Sequence, residues 1–96
     1  MSEHINFIEG RIISISPAVK ISDKFTKREF VIEFSEQNFT NVAVLQCTNK
    51  KCEELNKYLI GDYVKVSFNI RGSKWVKDGK ERYFSNLEAW KIEKQN

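Results

Sequence analysis

Residues 61–72, GDYVKVSFNIRG, alternate strictly between apolar and polar side chains. The apolar residues from Val64 to Ile70 fall on one face of an extended chain, and the polar residues between them fall on the other. A period of two residues is typical of a β-strand with one buried face. Strand-like sequence returns at residues 83–93, YFSNLEAWKIE, after a basic stretch that contains an Asp78-Gly79 turn. We therefore predict one long β-hairpin over residues 61–93.

Three further strands are predicted before this hairpin. They cover residues 5–16, 27–35 and 41–47, with a bend or bulge at Gly10 and a polar loop over residues 18–24. After the third strand the alternation stops, and Cys52, Leu55 and Leu59 share one face of a helix. The sequence thus predicts one short helix, at about residues 50–59, between the third and fourth predicted strands.

Five short strands with one helix favour a small closed barrel, because closure leaves no exposed strand edge. The helix can then cover one end of the barrel. This is the arrangement of the OB-fold, an all-β, five-stranded Greek-key barrel. A ferredoxin-like fold would need two helices, and only one is predicted. We expect a single OB-fold domain over residues 1–96, since the length suits one domain.

The positive charge is concentrated in the connection of the predicted hairpin. Residues 71–82 carry five basic and two acidic side chains, a net charge of +3, and the whole chain also has a net charge of +3. The rest of the chain therefore sums to zero. Trp75 lies among these lysines. A nucleic-acid strand offers bases that stack on the Trp75 ring and phosphates that pair with the lysine side chains. A solvated, lysine-rich turn is the alternative interpretation.

An OB-fold barrel typically binds nucleic acid on its second and third strands, flanked by the loops between strands one and two and between strands four and five. Basic and aromatic residues fall on these predicted elements, and Phe39 lies in the turn between strands two and three. The candidate nucleic-acid-binding residues are Lys20, Lys24, Phe25, Lys27, Arg28, Phe39, Lys65, Arg71, Lys74, Trp75, Lys77, Lys80, Arg82 and Tyr83. Trp75 is the strongest candidate for stacking, and Phe30, Phe34, Phe68 and Trp90 are expected mostly in the core.

The segments KREFVIE, VKVSFNIRG and YFSNLEAWKIE, with the helix that ends in Gly61-Asp62, resemble a family of small bacterial and phage OB-fold proteins. Its members are described as a domain of unknown function or as single-stranded DNA-binding proteins. The chain is also similar to a minimal bacterial single-stranded DNA-binding protein. We expect no counterpart of the disordered acidic tail of those proteins. The resemblance implies binding of single-stranded DNA in replication or recombination, and a phage or mobile-element origin.

Catalysis is not expected from this sequence. His4 is the one histidine, the carboxylates have no metal-ligand spacing, and no phosphate-binding glycine motif occurs. Cys47 and Cys52 are expected to be reduced and packed rather than bound to zinc, which needs four ligands. We expect no cofactor, no metal and no membrane association. The N-terminal residues lack the pattern of a signal peptide, so a cytoplasmic location is expected.

The leading functional interpretation is sequence-tolerant binding of single-stranded DNA. A protein-interaction or structural subunit on an OB scaffold, and an RNA or oligosaccharide binder, remain as alternatives. Because one OB domain covers only ~4–16 nucleotides, we expect a homo-oligomer, a dimer or a tetramer. Val31, Val44 and Tyr63 are candidates for outward-facing positions at a subunit interface.

Overall fold

A computed structural model describes residues 6–95, and these residues form six β-strands and one 3₁₀ helix. In chain order the elements are β1 (Asn6–Ile15), β2 (Val19–Ser22), β3 (Phe25–Glu36), β4 (Phe39–Thr48), the 3₁₀ helix (Asn49–Lys57), β5 (Tyr63–Lys77) and β6 (Lys80–Lys94). Ile5, with which the predicted first strand begins, and His4 lie outside the described residues.

Five of these strands close into a barrel. The order of neighbours is β1-β5-β6-β4-β3, and a pairing between β1 and β3 completes the circle. Neighbouring strands are antiparallel except β4 and β6, which run parallel and share only the register pairs Leu45–Leu87 and Gln46–Glu88. This is the all-β OB-fold barrel that the sequence predicts, so the predicted fold class is confirmed.

β1 pairs with two neighbours because the backbones of β1 and β3 approach closely at Gly10. Residues 6–11 pair with β5, and residues 11–15 pair with β3. A Cβ atom at Gly10 would collide with the carbonyl oxygen of Glu33 and would lie 2.7 Å from Cγ2 of Ile32. Only glycine accommodates such an approach. Gly10 therefore lies where β1 changes partners and closes the barrel. The bulge predicted at Gly10 is found instead between Ile12 and Ser14, where the register of β1 against β3 shifts.

The barrel interior is filled by the apolar faces of the alternating strands. The buried apolar side chains of the strands are Ile12, Phe30, Ile32, Leu45, Cys47, Val64, Val66, Ala89 and Ile92. Val64 and Val66 are fully buried and Phe68 packs against this core, as the alternation of β5 predicts. Ile70, the last apolar residue of that alternation, is 62% exposed, so the predicted burial ends at Phe68. Burial of each large side chain contributes roughly 1.5–3 kcal/mol to folding.

The helix covers one end of the barrel, but it differs in type from the predicted helix. Cys52 and Leu55 are buried and Tyr58 is half-buried, a spacing of three residues that matches the three residues per turn of a 3₁₀ helix. The helix ends at Lys57, because Tyr58 is extended (φ −119°) and its hydroxyl donates a hydrogen bond to the Ile92 carbonyl, 3.0 Å away. The predicted continuation to Leu59 is wrong, and the Leu59 side chain is exposed.

Two predicted loops are strands in the structure. The predicted polar loop over residues 18–24 contains β2, which pairs with the start of β3 outside the barrel. The predicted basic loop between the hairpin arms is also wrong. β5 and β6 continue to Lys77 and Lys80 and are joined by the two-residue turn Asp78-Gly79.

A β-bulge in β6 changes the position of Trp90. Ser67 pairs with Lys91 while Phe68 pairs with Ala89, so Trp90 is the extra residue. The extra residue leaves the Trp90 side chain 41% exposed rather than in the core, where it was expected. Phe30 is fully buried as expected, and Phe34 and Phe68 are half-buried.

Both cysteines lie at the end of the barrel that the helix covers. Cys47 and Cys52 are free thiols with buried side chains, as the sequence predicts. Sγ of Cys52 lies 3.4 Å from the Cys47 carbonyl oxygen. Burial raises the pKa of the Cys47 thiol to about 12. Within residues 6–95 no helix has the length and hydropathy needed to cross a bilayer.

Candidate functional site

The distal parts of β5 and β6 form a two-stranded ribbon beyond the barrel. All residues from Arg71 to Asn86 are exposed, and their strands pair directly up to the Lys77–Lys80 pair. Asp78 (φ 53°) and Gly79 (φ 76°) both have left-handed backbones. Two such residues in succession make the tight turn that matches the twist of a hairpin. The ribbon is therefore continuous sheet, and its register decides which side chains share a face.

One face of the ribbon is cationic and aromatic. We define the outer ribbon face by the cross-strand pairs Arg71–Asn86, Ser73–Phe84, Trp75–Arg82 and Lys77–Lys80. The side chains of Trp75 and Phe84 are 54% and 51% exposed and, together with Ser73, line an apolar depression. Nζ of Lys77 lies 5.8 Å from the centroid of the Trp75 ring. This face combines flat apolar surface with positive charge.

The opposite face of the ribbon is electrically neutral. It carries Lys74 and Tyr83 as one pair and Val76 and Glu81 as the next. Nζ of Lys74 lies 3.4 Å from a Glu81 carboxylate oxygen, and the Tyr83 hydroxyl donates a 2.7 Å hydrogen bond to the same carboxylate. This hydrogen bond raises the pKa of Tyr83. Two candidate residues, Lys74 and Tyr83, thus lie away from the Trp75 face.

The charges of the outer ribbon face differ in how far they are neutralised. Arg71 lies 3.6 Å from a carboxylate oxygen of Glu88 at the base of the ribbon. Among residues 6–95 no carboxylate lies within ion-pair distance of Lys77, Lys80 or Arg82. The unneutralised positive charge is therefore greatest toward the tip, around Trp75.

A cleft separates the ribbon from the β3–β4 hairpin. Because β4 and β6 share only two register pairs, the residues before Leu45 and before Leu87 diverge toward the same end of the molecule. The cleft is lined by Glu29, Val44, Leu45, Gln46, Ser85, Asn86 and Leu87. Phe39 is exposed at the start of β4, on the end toward which the ribbon projects. The structure therefore places Phe39 at the ribbon end of the β3–β4 ladder.

The outward surface of β3 and β4 is apolar and acidic. We define the β3–β4 outer face by the pairs Glu29–Gln46, Val31–Val44, Glu33–Val42 and Ser35–Thr40. Val42 and Val44 are 60% and 54% exposed, and Val31 is half-buried. The four pairs carry two carboxylates, and the next pair on the same face, Lys27–Thr48, adds one lysine at the end away from the ribbon. The positive charge expected on the central binding surface of the barrel is thus limited on this face to Lys27, at the end away from the ribbon.

The candidates near β2 lie at the far end of the β3–β4 ladder from Phe39. Lys27 is opposite Thr48, whereas Phe39 is opposite Glu36. Lys20 lies on β2, and its Nζ is 3.9 Å from a carboxylate oxygen of Asp23. The structure therefore does not bring Lys20, Lys24, Phe25 and Lys27 together with the ribbon tip.

Two further candidates are occupied by contacts within the protein. Arg28 donates hydrogen bonds to the Ser16 carbonyl (2.7 Å), the Cys52 carbonyl (3.3 Å) and the Asn56 side chain (2.8 Å). These bonds tie the helix to the end of β1, which gives Arg28 a structural role. Nζ of Lys65 lies 4.4 Å from the centroid of the Phe7 ring, on the barrel rather than on the ribbon.

The candidate residues derived from the sequence omit one aromatic side chain of this face. Phe84 lies beside Trp75 on the outer ribbon face, but it was counted only as part of a strand. A signal was available, because continuing the register from the Asp78-Gly79 turn places Lys77, Trp75 and Ser73 opposite Lys80, Arg82 and Phe84. The turn residues thus predict the cross-strand neighbours of Trp75.

The sequence model of a protein family described as "Domain of unknown function (DUF3127)" matches residues 7–93. The chain belongs to this family. No curated protein matches the sequence of this DUF3127 member.

Solved structures show the same fold at low sequence identity. The mitochondrial single-stranded DNA-binding protein Rim1 of S. cerevisiae is 20% identical with a TM-score of 0.70, over 98% of this chain and 96% of that one. The SSB domain of a Synechococcus sp. protein is 11% identical with a TM-score of 0.71, over 97% of each chain. A small single-stranded DNA-binding protein of Streptomyces coelicolor is 14% identical with a TM-score of 0.59, over 99% of this chain and 96% of that one.

Proposed function

We propose that this DUF3127 member binds single-stranded DNA, with little preference for base sequence, through its outer ribbon face. The observation that carries the proposal is the exposure of Trp75 and Phe84 on the same face as Arg71, Lys77, Lys80 and Arg82. Aromatic rings stack on any base, and basic side chains pair with any phosphate. Binding rather than catalysis is the chemistry that such a surface offers.

The two rings are placed to act on one strand. Phe84 and Trp75 occupy adjacent pairs on opposite strands of the ribbon, so they are diagonal neighbours. Diagonal neighbours in antiparallel sheet lie about 7–8 Å apart, and two bases of one strand can stack on them. Arg82 lies opposite Trp75, and Lys77 lies over its ring, so phosphates beside a stacked base meet positive charge.

The ribbon supports this proposal better than the barrel surface does. The carboxylates of Glu29 and Glu33 on the β3–β4 outer face repel phosphate, whereas the outer ribbon face attracts it. The solved structures with this fold are described as single-stranded DNA-binding proteins, which also supports the proposal. We propose that the activity serves DNA replication or recombination in the cytoplasm.

A titration of fluorescently labelled oligo-dT at several salt concentrations tests the proposal. If the four basic side chains of the outer ribbon face neutralise four phosphates, log affinity falls with log salt at a slope of about −3. A flat salt response, or no binding at low salt, contradicts the proposal. Competition by unlabelled oligo-U and oligo-dT distinguishes DNA from RNA, since an RNA binder would be displaced at least as well by oligo-U.

The exposed valines of β4 favour a second candidate, a protein-interaction subunit. Val42 and Val44 adjoin the half-buried Val31, and together they form an apolar patch bounded by Glu29 and Glu33. Such a patch is typical of a surface that another protein covers. If the chain fails to bind oligo-dT but binds another protein through this patch, it has this second function.

A further inference from the structure

We propose that a second copy of this chain packs against the first as a two-fold dimer, with each outer ribbon face covering the β3–β4 outer face of its partner. The existence of the dimer does not rest on the proposed function. The predicted competition between the dimer and DNA does rest on it, since the same ribbon face is assigned to single-stranded DNA. The partner copy and the DNA strand then compete for one surface.

The two faces are complementary in charge. The outer ribbon face carries Arg71, Lys77, Lys80 and Arg82. The β3–β4 outer face carries Glu29 and Glu33, and the nearest basic side chain on that side of the sheet, Lys27, lies one pair beyond Glu29 at the end away from the ribbon. Opposite charges on two surfaces favour and orient their contact. A ribbon packed on a second ribbon, or a β3–β4 face on a second one, would bring like charges together.

The apolar parts of the two faces also match. Trp75 and Phe84 are half-exposed on the ribbon, and Val42 and Val44 are exposed on β4 beside Val31. Contact would remove these side chains from water at the centre of each half of the interface, with charged residues around them. An apolar centre with a polar rim is the usual composition of a protein interface.

The geometry allows a closed dimer. The two faces lie on either side of the cleft between β4 and β6, and both face outward. A two-fold axis along this cleft brings the ribbon of each copy onto the β3–β4 face of the other. Both faces are two-stranded antiparallel ladders, so their widths match.

The contact is large enough for a specific dimer. Four pairs of a two-stranded sheet span about 27 Å by about 10 Å, or about 270 Å² for each face. Two faces per copy give about 540 Å², and the dimer buries about 1,100 Å² in total. This area lies just above the ~1,000 Å² expected of a biological interface, so we expect a dimer that is sensitive to salt and concentration.

Sedimentation equilibrium without DNA tests the dimer directly. At low salt the chain is expected at twice the monomer mass, and the dimer is expected to dissociate as salt increases. Val44→Lys places a cation against the partner's ribbon and is expected to raise the dimer Kd at least about 100-fold. Ile21→Lys is the matched control, because Ile21 is exposed to the same degree (53%) on β2, outside both faces.

A charge exchange identifies the two contacting faces. Glu33→Lys and Arg82→Glu are each expected to weaken the dimer at least about tenfold, and combining them restores a large part of the loss. Circular dichroism shows that each variant is folded. A chain that is monomeric at low salt, or a dimer that Val44→Lys leaves unchanged, overturns the proposal.

Adding unlabelled oligo-dT then tests the competition. We expect the dimer to dissociate into monomers that each carry DNA, and Val44→Lys to bind oligo-dT more tightly than the unmodified chain. A dimer that binds oligo-dT without dissociating overturns the competition. Failure to bind oligo-dT contradicts the proposed function instead, while the measurements without DNA still decide whether the dimer exists.

Discussion

Trp75 lies directly opposite Arg82 across the β5–β6 ribbon, and both side chains are on its outer face. The indole ring is about half exposed, and Nζ of Lys77 lies 5.8 Å from the centroid of this ring. A half-exposed ring contributes less to packing than a core aromatic side chain does. Its removal should therefore affect binding much more than folding.

Trp75→Ala is expected to weaken binding of oligo-dT by ~1–3 kcal/mol, the usual contribution of one base–aromatic stack. The melting temperature should change little. Titration with labelled oligo-dT measures the first effect, and thermal unfolding measures the second. Trp75 fluorescence should also be quenched by oligo-dT. Trp90 is itself partly exposed, so the quenching has to be assigned by comparison with the Trp75→Ala chain.

Val76→Ala is the matched control for this substitution. Val76 is the next residue of β5, is 59% exposed and lies on the opposite face of the ribbon. We expect its truncation to leave DNA binding unchanged. Equal losses of affinity in both variants, or a large loss of stability in Trp75→Ala, would show that the ring packs the ribbon rather than stacks on bases.

The register of the ribbon predicts different effects for two basic residues. Arg82→Gln should reduce the slope of log affinity against log salt by about 0.7, because one phosphate contact is lost. Lys74→Gln should change the slope much less, since Lys74 lies on the neutral face beside Glu81. Both variants lose one positive charge, so each is the control for the other. Identical slopes would show that only net charge matters.

The sequence predicted the barrel because apolar alternation reports directly on burial. The inward positions of β5 from Val64 to Phe68 follow from their period of two, and the barrel follows from five such segments. β2 was missed because its side chains are all exposed and none contributes to the core. The alternation of Val19 and Ile21 is its only local signal.

The candidate site was only partly predictable, because a side chain's face depends on register. The sequence located the basic ribbon and Trp75, but it could not separate Lys74 and Tyr83 from the outer face without the pairing of β5 with β6. A single inserted residue, such as Trp90 in the bulge, reverses the faces along a strand. Arg28 looked like a surface cation because its three hydrogen-bond partners are 12 to 28 residues away in sequence.

Gly10→Ala is expected to destabilise the fold by about 1–3 kcal/mol through overpacking. The added methyl group meets the Glu33 carbonyl and the Ile32 side chain where β1 changes partners. Gly10 does not have a left-handed backbone, so the effect is steric rather than conformational. Chemical denaturation measures it, with Ser14→Ala as the control, since Ser14 is an exposed residue of the same strand. Equal stability of both variants would show that β1 can move away from β3 at no cost.

The buried thiol of Cys47 predicts a loss of stability at high pH. Its pKa is raised by burial from the ordinary value of 9.0 to about 12, so the unfolded chain releases this proton at a lower pH than the folded chain does. The thiol therefore contributes its full stabilisation below about pH 9 and loses it as the pH rises toward 12. Between pH 8 and pH 10.5 this amounts to at most about 2 kcal/mol.

Cys47→Ala isolates this effect from the titration of lysines and tyrosines. The variant is less stable at pH 8 because the buried side chain is smaller, but its stability should fall less between pH 8 and pH 10.5 than that of the unmodified chain. Denaturation curves at the two pH values give both differences. Alkylation adds an independent measurement, since Cys47 should react with iodoacetamide at pH 8 only after unfolding. Two results together would show that the thiol is accessible and that its pKa is ordinary. Cys47 would react in the folded protein, and the stability of the unmodified chain would depend on pH as that of the alanine variant does.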